Sequence, residues 1–144
     1  MGCSNSKVIA CGNTLRSKYG MPQFRKWLTA AKQSVSRGDY GPEAGKKDKL
    51  RVVMGNTSCD VDSAIGALVL SYYYSKKLGE AWVPVINCRR EDFYCNLEIN
   101  KHLANCQISH EDLYFYDEFR KQFPDPNSIE EMALIDHNKL DASQ

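Results

Sequence analysis

An apolar run that breaks into an acidic loop and restarts at once as a helix constrains this chain more than any other feature. Val53-Met54 leads into Gly55-Asn56-Thr57-Ser58-Cys59-Asp60-Val61-Asp62-Ser63, and a helical pattern follows directly behind. Two carboxylates spaced i, i+2 at a strand-to-helix turn suit a hard divalent cation, and a helix N-terminus beside them favours phosphate oxygens. A second acidic loop, Ile135-Asp136-His137-Asn138, follows another apolar run.

The remaining pattern alternates. From Met21 apolar residues Phe24, Trp27, Leu28, Ala31 and Val35 share one helical face, with Pro22 in the first turn and Gly38 at the stop. Residues 38–49 read as a polar linker rich in breakers. Leu50 to Met54 reads as a buried strand, and Asp62 to Lys77 as a helix ended by Gly79. That helix is expected to turn Ile65, Leu68, Val69, Tyr72 and Tyr73 to one side, with Gly66 and Ala67 allowing close approach to a neighbour. Trp82 to Cys88 reads as a second strand, and Glu91 to Asn105 as a second helix. A short third strand or edge segment follows at Leu113 to Tyr116. Asp117 to Phe123 reads as a brief helix stopped by Pro124-Asp125-Pro126, and Met132 to Ile135 as a further buried strand. This order predicts an α/β fold, a parallel sheet with flanking helices joined by right-handed crossovers. Ligands in such sheets gather at the C-terminal strand ends, where both acidic loops fall.

At 144 residues the chain suits one domain, and 42% hydrophobic residues fit a globular protein. The net charge of +1 hides an asymmetry: residues 1–51 hold 11 Lys+Arg against 3 Asp+Glu, and residues 52–144 hold 8 against 15. A basic arm on an acidic body points to an anionic surface or ligand near that arm. Nucleic-acid readout modules are absent, no nucleic-acid partner is expected, and Gly55 lacks the glycine-lysine pair of a Walker loop. Six cysteines form no C-x-x-C pair and there is no secretory h-region, so a reduced, cytoplasmic chain is expected.

The first six residues, Met1-Gly2-Cys3-Ser4-Asn5-Ser6, match the pattern for N-myristoylation of Gly2, and Cys3 beside it suits palmitoylation. Two acyl chains, or one chain with basic residues, anchor stably. Residues 1–20 are therefore expected to be a flexible, lipidated arm that brings the protein to the cytosolic face of a membrane.

Asp60, Asp62 and Asp136 would converge at one sheet edge. One carboxylate there needs no metal, because it can cap the helix. Three would repel unless a cation offsets them, which points to Mg²⁺ or Mn²⁺. A metal pair would lower the pKa of a bridging water and neutralise phosphoryl charge. His137 is read as a ligand, a phosphate contact or a brace for its loop. Arg89 and Arg90, after the second strand, suit bidentate phosphate contact or a solvated pair. Cys59 has no adjoining histidine base and is not read as a nucleophile.

These motifs resemble the DHH phosphoesterase superfamily. Gly55 to Ser63 is similar to its first motif, and Asn56 in place of histidine is similar to the exopolyphosphatase and prune branch. Ile135-Asp136-His137-Asn138 resembles the second motif. Val83-Pro84-Val85-Ile86-Asn87, followed by Arg90-Glu91-Asp92-Phe93, resembles the segment between them. The resemblance, over roughly residues 21–140, implies a Rossmann-like DHH domain with Asp60, Asp62 and Asp136 as metal ligands, these three and His137 as catalytic residues, and Asn56, Arg90 and Asn138 toward substrate. It implies two Mn²⁺ or Mg²⁺ ions in a complete site and release of orthophosphate from polyphosphate or pyrophosphate. The third motif, the fourth-motif aspartate and the C-terminal substrate-binding domain of the family are not found, and Asn96 stands where relatives often place an arginine. Residues 21–144 are therefore expected to be the N-terminal part of such a domain. Two other readings follow from the sequence: a lipid-anchored, non-catalytic metal- or phosphate-binding fragment that acts through partners, and a phosphodiesterase of the same superfamily acting on small nucleotides or oligonucleotides.

Overall fold

A computed structural model describes residues 21–38 and 49–137. The expectations for residues 1–20, for the linker residues 39–48 and for Asn138 lie outside them. The first element is helix α1 (Met21–Arg37), followed by strand β1 (Leu50–Met54), helix α2 (Val61–Leu78) and strand β2 (Trp82–Val85). Two short helices follow, α3 (Arg90–Tyr94) and α4 (Leu97–Asn105). After a 3-10 turn at His110–Asp112 come helix α5 (Tyr116–Gln122), a second 3-10 turn at Pro126–Ser128 and strand β3 (Ile129–Leu134). The strands form one sheet of order β2-β1-β3, parallel throughout. The expected α/β architecture, a parallel sheet with flanking helices, is present.

β1 is central and is covered on both faces. Val53 packs with Ala67 of α2 on one face. Leu50, Val52 and Met54 alternate to the other, against Val83, Val85, Phe119 and Phe123. That two-sided burial is why the run is almost continuously apolar. β2 borders one edge, where Pro84 is tolerated because a proline cannot donate within a central ladder. α1 serves both layers, giving Leu28 to the cluster around Leu68, Ile86 and Phe115 and Val35 to the cluster around Val52 and Val83. Its expected stop at Gly38 is present: Gly38 takes φ +70° and its N–H donates to Val35 O at 3.0 Å.

Several local expectations are corrected. α2 buries Ala64, Ala67, Leu68 and Ser71, whereas Val69 and Tyr73 are exposed. Small residues let the helix sit close on the sheet, so the packing stripe follows Ala and Ser rather than the bulkiest side chains. Tyr72 instead meets Phe24 and Trp27 of α1, with ring centroids 5.1 Å away in each case. The helix expected over Glu91 to Asn105 breaks in two, because the Asn96 side chain caps α4 by accepting from Ile99 N. Leu113 to Tyr116 forms a single parallel bridge, Ile86 to Phe115, not a strand. The last strand begins at Ile129 and lies at the other sheet edge, so it is largely exposed rather than buried. Glu130 and Glu131 on it reach Arg51 at 2.8 and 3.4 Å, and such charges blunt an open edge.

Two glycines set how closely the acidic loops approach α2. A Cβ at Gly55 would lie 2.3 Å from Ser63 Oγ and 2.6 Å from Ser63 O, in part a backbone clash. A Cβ at Gly66 would meet only the Ile135 side-chain tip, at 2.7 Å. Gly55→Ala is expected to cost about 1–3 kcal/mol, the usual range for overpacking, and Gly66→Ala less. Urea unfolding of the two variants beside the parent checks the order, and a larger loss for Gly66→Ala would contradict it.

Candidate metal centre

β1 delivers the loop from Gly55 to Asp60 straight into α2, and β3 delivers Asp136 beside it. Asp60 is the N-cap of α2, with extended backbone and a side chain that accepts from Ser63 N at 3.2 Å. Asp62 lies one residue into the first turn, where the helix dipole favours a negative charge. Carboxylate oxygens of Asp60, Asp62 and Asp136 all lie within 4.8 Å of one another, and all three residues are exposed. Oxygen ligands sit about 2.0–2.6 Å from a hard divalent cation, so opposite ligands of one ion lie roughly 4–5 Å apart, the scale of this cluster.

Asn56 joins the two loops. Its Nδ2 donates to Asp136 O at 2.9 Å and to Asp136 Oδ2 at 2.8 Å. Its Oδ1 accepts from Ser58 N at 2.9 Å and Ser58 Oγ at 2.6 Å, which fixes the amide orientation. Cys59 (φ 50°) and Asp136 (φ 60°) both take left-handed backbone, an uncommon geometry for residues other than glycine. Such residues persist where surrounding contacts over-determine them, and they cluster at functional sites.

Nδ1 of His137 lies 2.9 Å from Ile135 O, and a carbonyl accepts only, so Nδ1 carries the proton. In the neutral ring Nε2 then presents a lone pair, and this buried atom has no hydrogen-bond partner among the described residues. A ring held by Nδ1–H to a backbone carbonyl is how metal-binding histidines are oriented. The carboxylate cluster fits a hard divalent cation, whereas the His137 ring nitrogens are not among the ligand atoms that meet there.

Other sequence-selected residues sit differently. The Arg90 guanidinium is engaged by Glu118 at 2.6–2.7 Å and by His110 O at 3.1 Å, and it lies over the Phe115 ring. Arg89 pairs with Asp92 through two hydrogen bonds, which hold the Asp92 carboxyl below its ordinary value. Cys59 contacts Cys88, with Sγ atoms 3.4 Å apart. That contact with reduced Cys88, reinforced by burial and by the Asp60 charge, pushes the Cys59 thiol far above its usual range.

The sequence reading missed the braces behind the site. Buried Asn87, just after β2, donates from Nδ2 to Gly55 O at 2.8 Å. Asn96 donates to Cys59 O at 3.2 Å, and Ser63 Oγ donates to Asn56 O at 3.4 Å. An asparagine at the end of an apolar strand, as at Asn87, was the visible signal, because a buried amide requires partners.

The cap and the charge of Asp60 are separable. Asp60→Asn keeps a capping oxygen and is expected to unfold near the parent midpoint in metal-free urea titrations. Asp60→Ala removes it and is expected to cost about 1 kcal/mol. Equal losses in both variants would mean that charge, not capping, governs this position.

No protein-family model matches the chain. Among curated proteins, human exopolyphosphatase PRUNE1 is 33% identical over 96 residues, which is 65% of this chain and 21% of that protein. Exopolyphosphatase PRUNE1 of Bos taurus is 31% identical, and that of Rattus norvegicus 30%, over the same shares. The chain spans about a fifth of the length of the curated relatives it matches (21%). Those names place the relatives among hydrolases at family level. By its motifs, its fold and these relatives together, the chain resembles the N-terminal part of a prune-like member of the DHH phosphoesterase superfamily.

Proposed function

We propose that this chain carries the metal-holding part of a phosphoanhydride hydrolase of exopolyphosphatase type, acting on polyphosphate or pyrophosphate with Mn²⁺ or Mg²⁺. The observation that carries the reading is the convergence of the exposed carboxylates of Asp60, Asp62 and Asp136, whose oxygens lie within 4.8 Å of one another. The names of the relatives support the hydrolase class and the substrate type. In this reading the three aspartates hold the cations and His137 is a phosphate contact or a brace for its loop. When bound, the ions would lower the pKa of a water and neutralise charge on the phosphoryl group. Asn56 orients Asp136 by donating to its carboxylate; a substrate contact by Asn138 is proposed on the motif alone. Asp60 also holds the helix N-terminus at the site, whose free N–H groups favour phosphate oxygens.

A non-catalytic reading has its own support. The guanidinium groups of Arg89 and Arg90 are paired with Asp92 and Glu118. A chain that binds cation and phosphate without turning substrate over fits that arrangement too.

Metal binding comes first. Mn²⁺ is expected to raise the melting temperature of the parent chain, by an amount equivalent to about 2.7 kcal/mol at a hundredfold excess over Kd. Asp62→Asn and Asp136→Asn are expected to lose most of that shift. Equal stabilisation of all three proteins would sink the ligand assignment. Orthophosphate release from tripolyphosphate with Mn²⁺ then separates the two readings. Release that Asp60→Asn lowers by more than the 10–100-fold typical of outer-shell partners establishes turnover. Mn²⁺ binding without release establishes the binding-only role.

Membrane attachment through acylated Gly2 and Cys3, in the arm spanning residues 1–20, is proposed on the sequence pattern. It would place the protein on the cytosolic face of a membrane. Among the described residues no helix is long and apolar enough to cross one. Gly2→Ala is expected to move the protein from the membrane pellet to the soluble fraction, and unchanged pelleting would refute the anchor.

A further inference from the structure

The loop that carries Asp60 meets the end of β2 through a pair of thiols that the metal chemistry does not use. Cys59 and Cys88 are both free cysteines, and their Sγ atoms lie 3.4 Å apart. A disulfide has an S–S distance near 2.05 Å, so closure needs an approach of about 1.4 Å. Both residues sit in loops rather than regular elements: Cys59 precedes the cap of α2, and Cys88 precedes α3. Loop backbone can absorb that approach. Cys59 is buried, but Cys88 is only half-buried. The two sulfurs border a cleft of about 180 Å³ lined also by Thr57, Ser58, Asp92 and Asn96, which gives a small oxidant a route in. By contrast, Cys95 is exposed and Cys106 half-buried, and neither has a thiol partner among the described residues.

We propose that Cys59 and Cys88 form a reversible dithiol modification site that closes to a disulfide under peroxide. Cys88, the more accessible sulfur, attacks the peroxide oxygen. The O–O bond breaks, one water leaves, and Cys88 becomes a sulfenic acid. Cys59 sulfur then attacks that sulfur, the S–O bond breaks, and the Cys59 proton leaves with the hydroxide as a second water. The two thiols lose two electrons in all and hydrogen peroxide gains them. A dithiol reductant reverses the reaction by exchange. The bond ties the Gly55-to-Asp60 loop to the end of β2 through a residue hydrogen-bonded to Asn56 and Asn96. This inference goes beyond the hydrolase reading and does not depend on it.

The test is a peptide map of the full chain after brief treatment with dilute hydrogen peroxide and alkylation of remaining thiols. Trypsin cuts after Lys and Arg, so Cys59 falls in peptide 52–76 and Cys88 in peptide 78–89, apart from the peptides holding Cys95 and Cys106. The expected product is a cross-link of these two peptides, two hydrogens lighter than their sum and lost on treatment with dithiothreitol. It should form at least tenfold more than any other cysteine pair, and Cys88→Ser should abolish it. The proposal is overturned if Cys59 and Cys88 are recovered alkylated, if they pair instead with Cys3, Cys11, Cys95 or Cys106, or if Cys88 runs on to sulfinic acid. The parent map decides the matter even if Cys88→Ser does not fold.

Discussion

Three carboxylates can share a few ångströms of space only if the backbone behind them is pinned more strongly than their charges repel. Asn56 does most of that pinning. One end of its amide donates to the carbonyl and the carboxylate of Asp136, and the other end accepts from Ser58. It therefore ties the loop after β1 to the loop after β3, although the two lie 80 residues apart in sequence. Asn87 closes the arrangement from below by holding Gly55 O. Asn87 spends its hydrogen bond on the backbone, and Asn56 divides its bonds between backbone groups, the Ser58 hydroxyl and one Asp136 oxygen. A preorganised anionic cluster of this kind gains most from a cation, because the cost of bringing the charges together has already been met by folding.

The sheet explains why the cluster lies where it does. Among the described residues β1 is the strand with a neighbouring strand on both sides, and its parallel pairing with β2 and β3 brings the C-terminal ends of these three strands to one edge. The chain returns to that edge three times, through the Gly55, Ile86 and Ile135 positions. Tight contact between α2 and the sheet depends on Gly55 and Gly66, where larger side chains would collide with Ser63 and Ile135. The glycines therefore act on the site through distance: they let the helix N-terminus and Asp136 come within reach of each other.

Much of this was legible in the sequence because it follows from strong, local signals. The apolar run at Leu50 to Met54 and the Gly38 and Gly79 stops each sit where backbone chemistry demands them, and the helix cap open to either loop aspartate falls to Asp60. The three aspartates were expected to meet, and the structure brings them within 4.8 Å. What was not legible depended on tertiary packing. The buried stripe of α2 follows Ala64, Ala67 and Ser71 because the sheet demands small residues there, which periodicity of large apolar residues cannot show. β3 was expected to be buried because its residues are apolar, yet its position at an edge leaves Met132 and Leu134 exposed. Arg90 was read from its position after β2, but Glu118, 28 residues further on, takes its guanidinium.

The division between core and site also bears on how this protein can vary. The buried clusters use Leu, Val and Phe from α1, β1, β2 and α5, and none of the three aspartates belongs to them. Substituting Asp62 or Asp136 removes a charge from an exposed cluster without opening a cavity, so the fold tolerates losses that the chemistry would not. Asp60 differs because it is both cap and cluster member, and Cys59 differs because it belongs at once to the core and to the loop. These two adjacent residues are where stability and site geometry are coupled. A change in the covalent state of Cys59 would therefore be felt at Asp60 through one peptide unit, whereas the same change at exposed Cys95 would be absorbed by solvent.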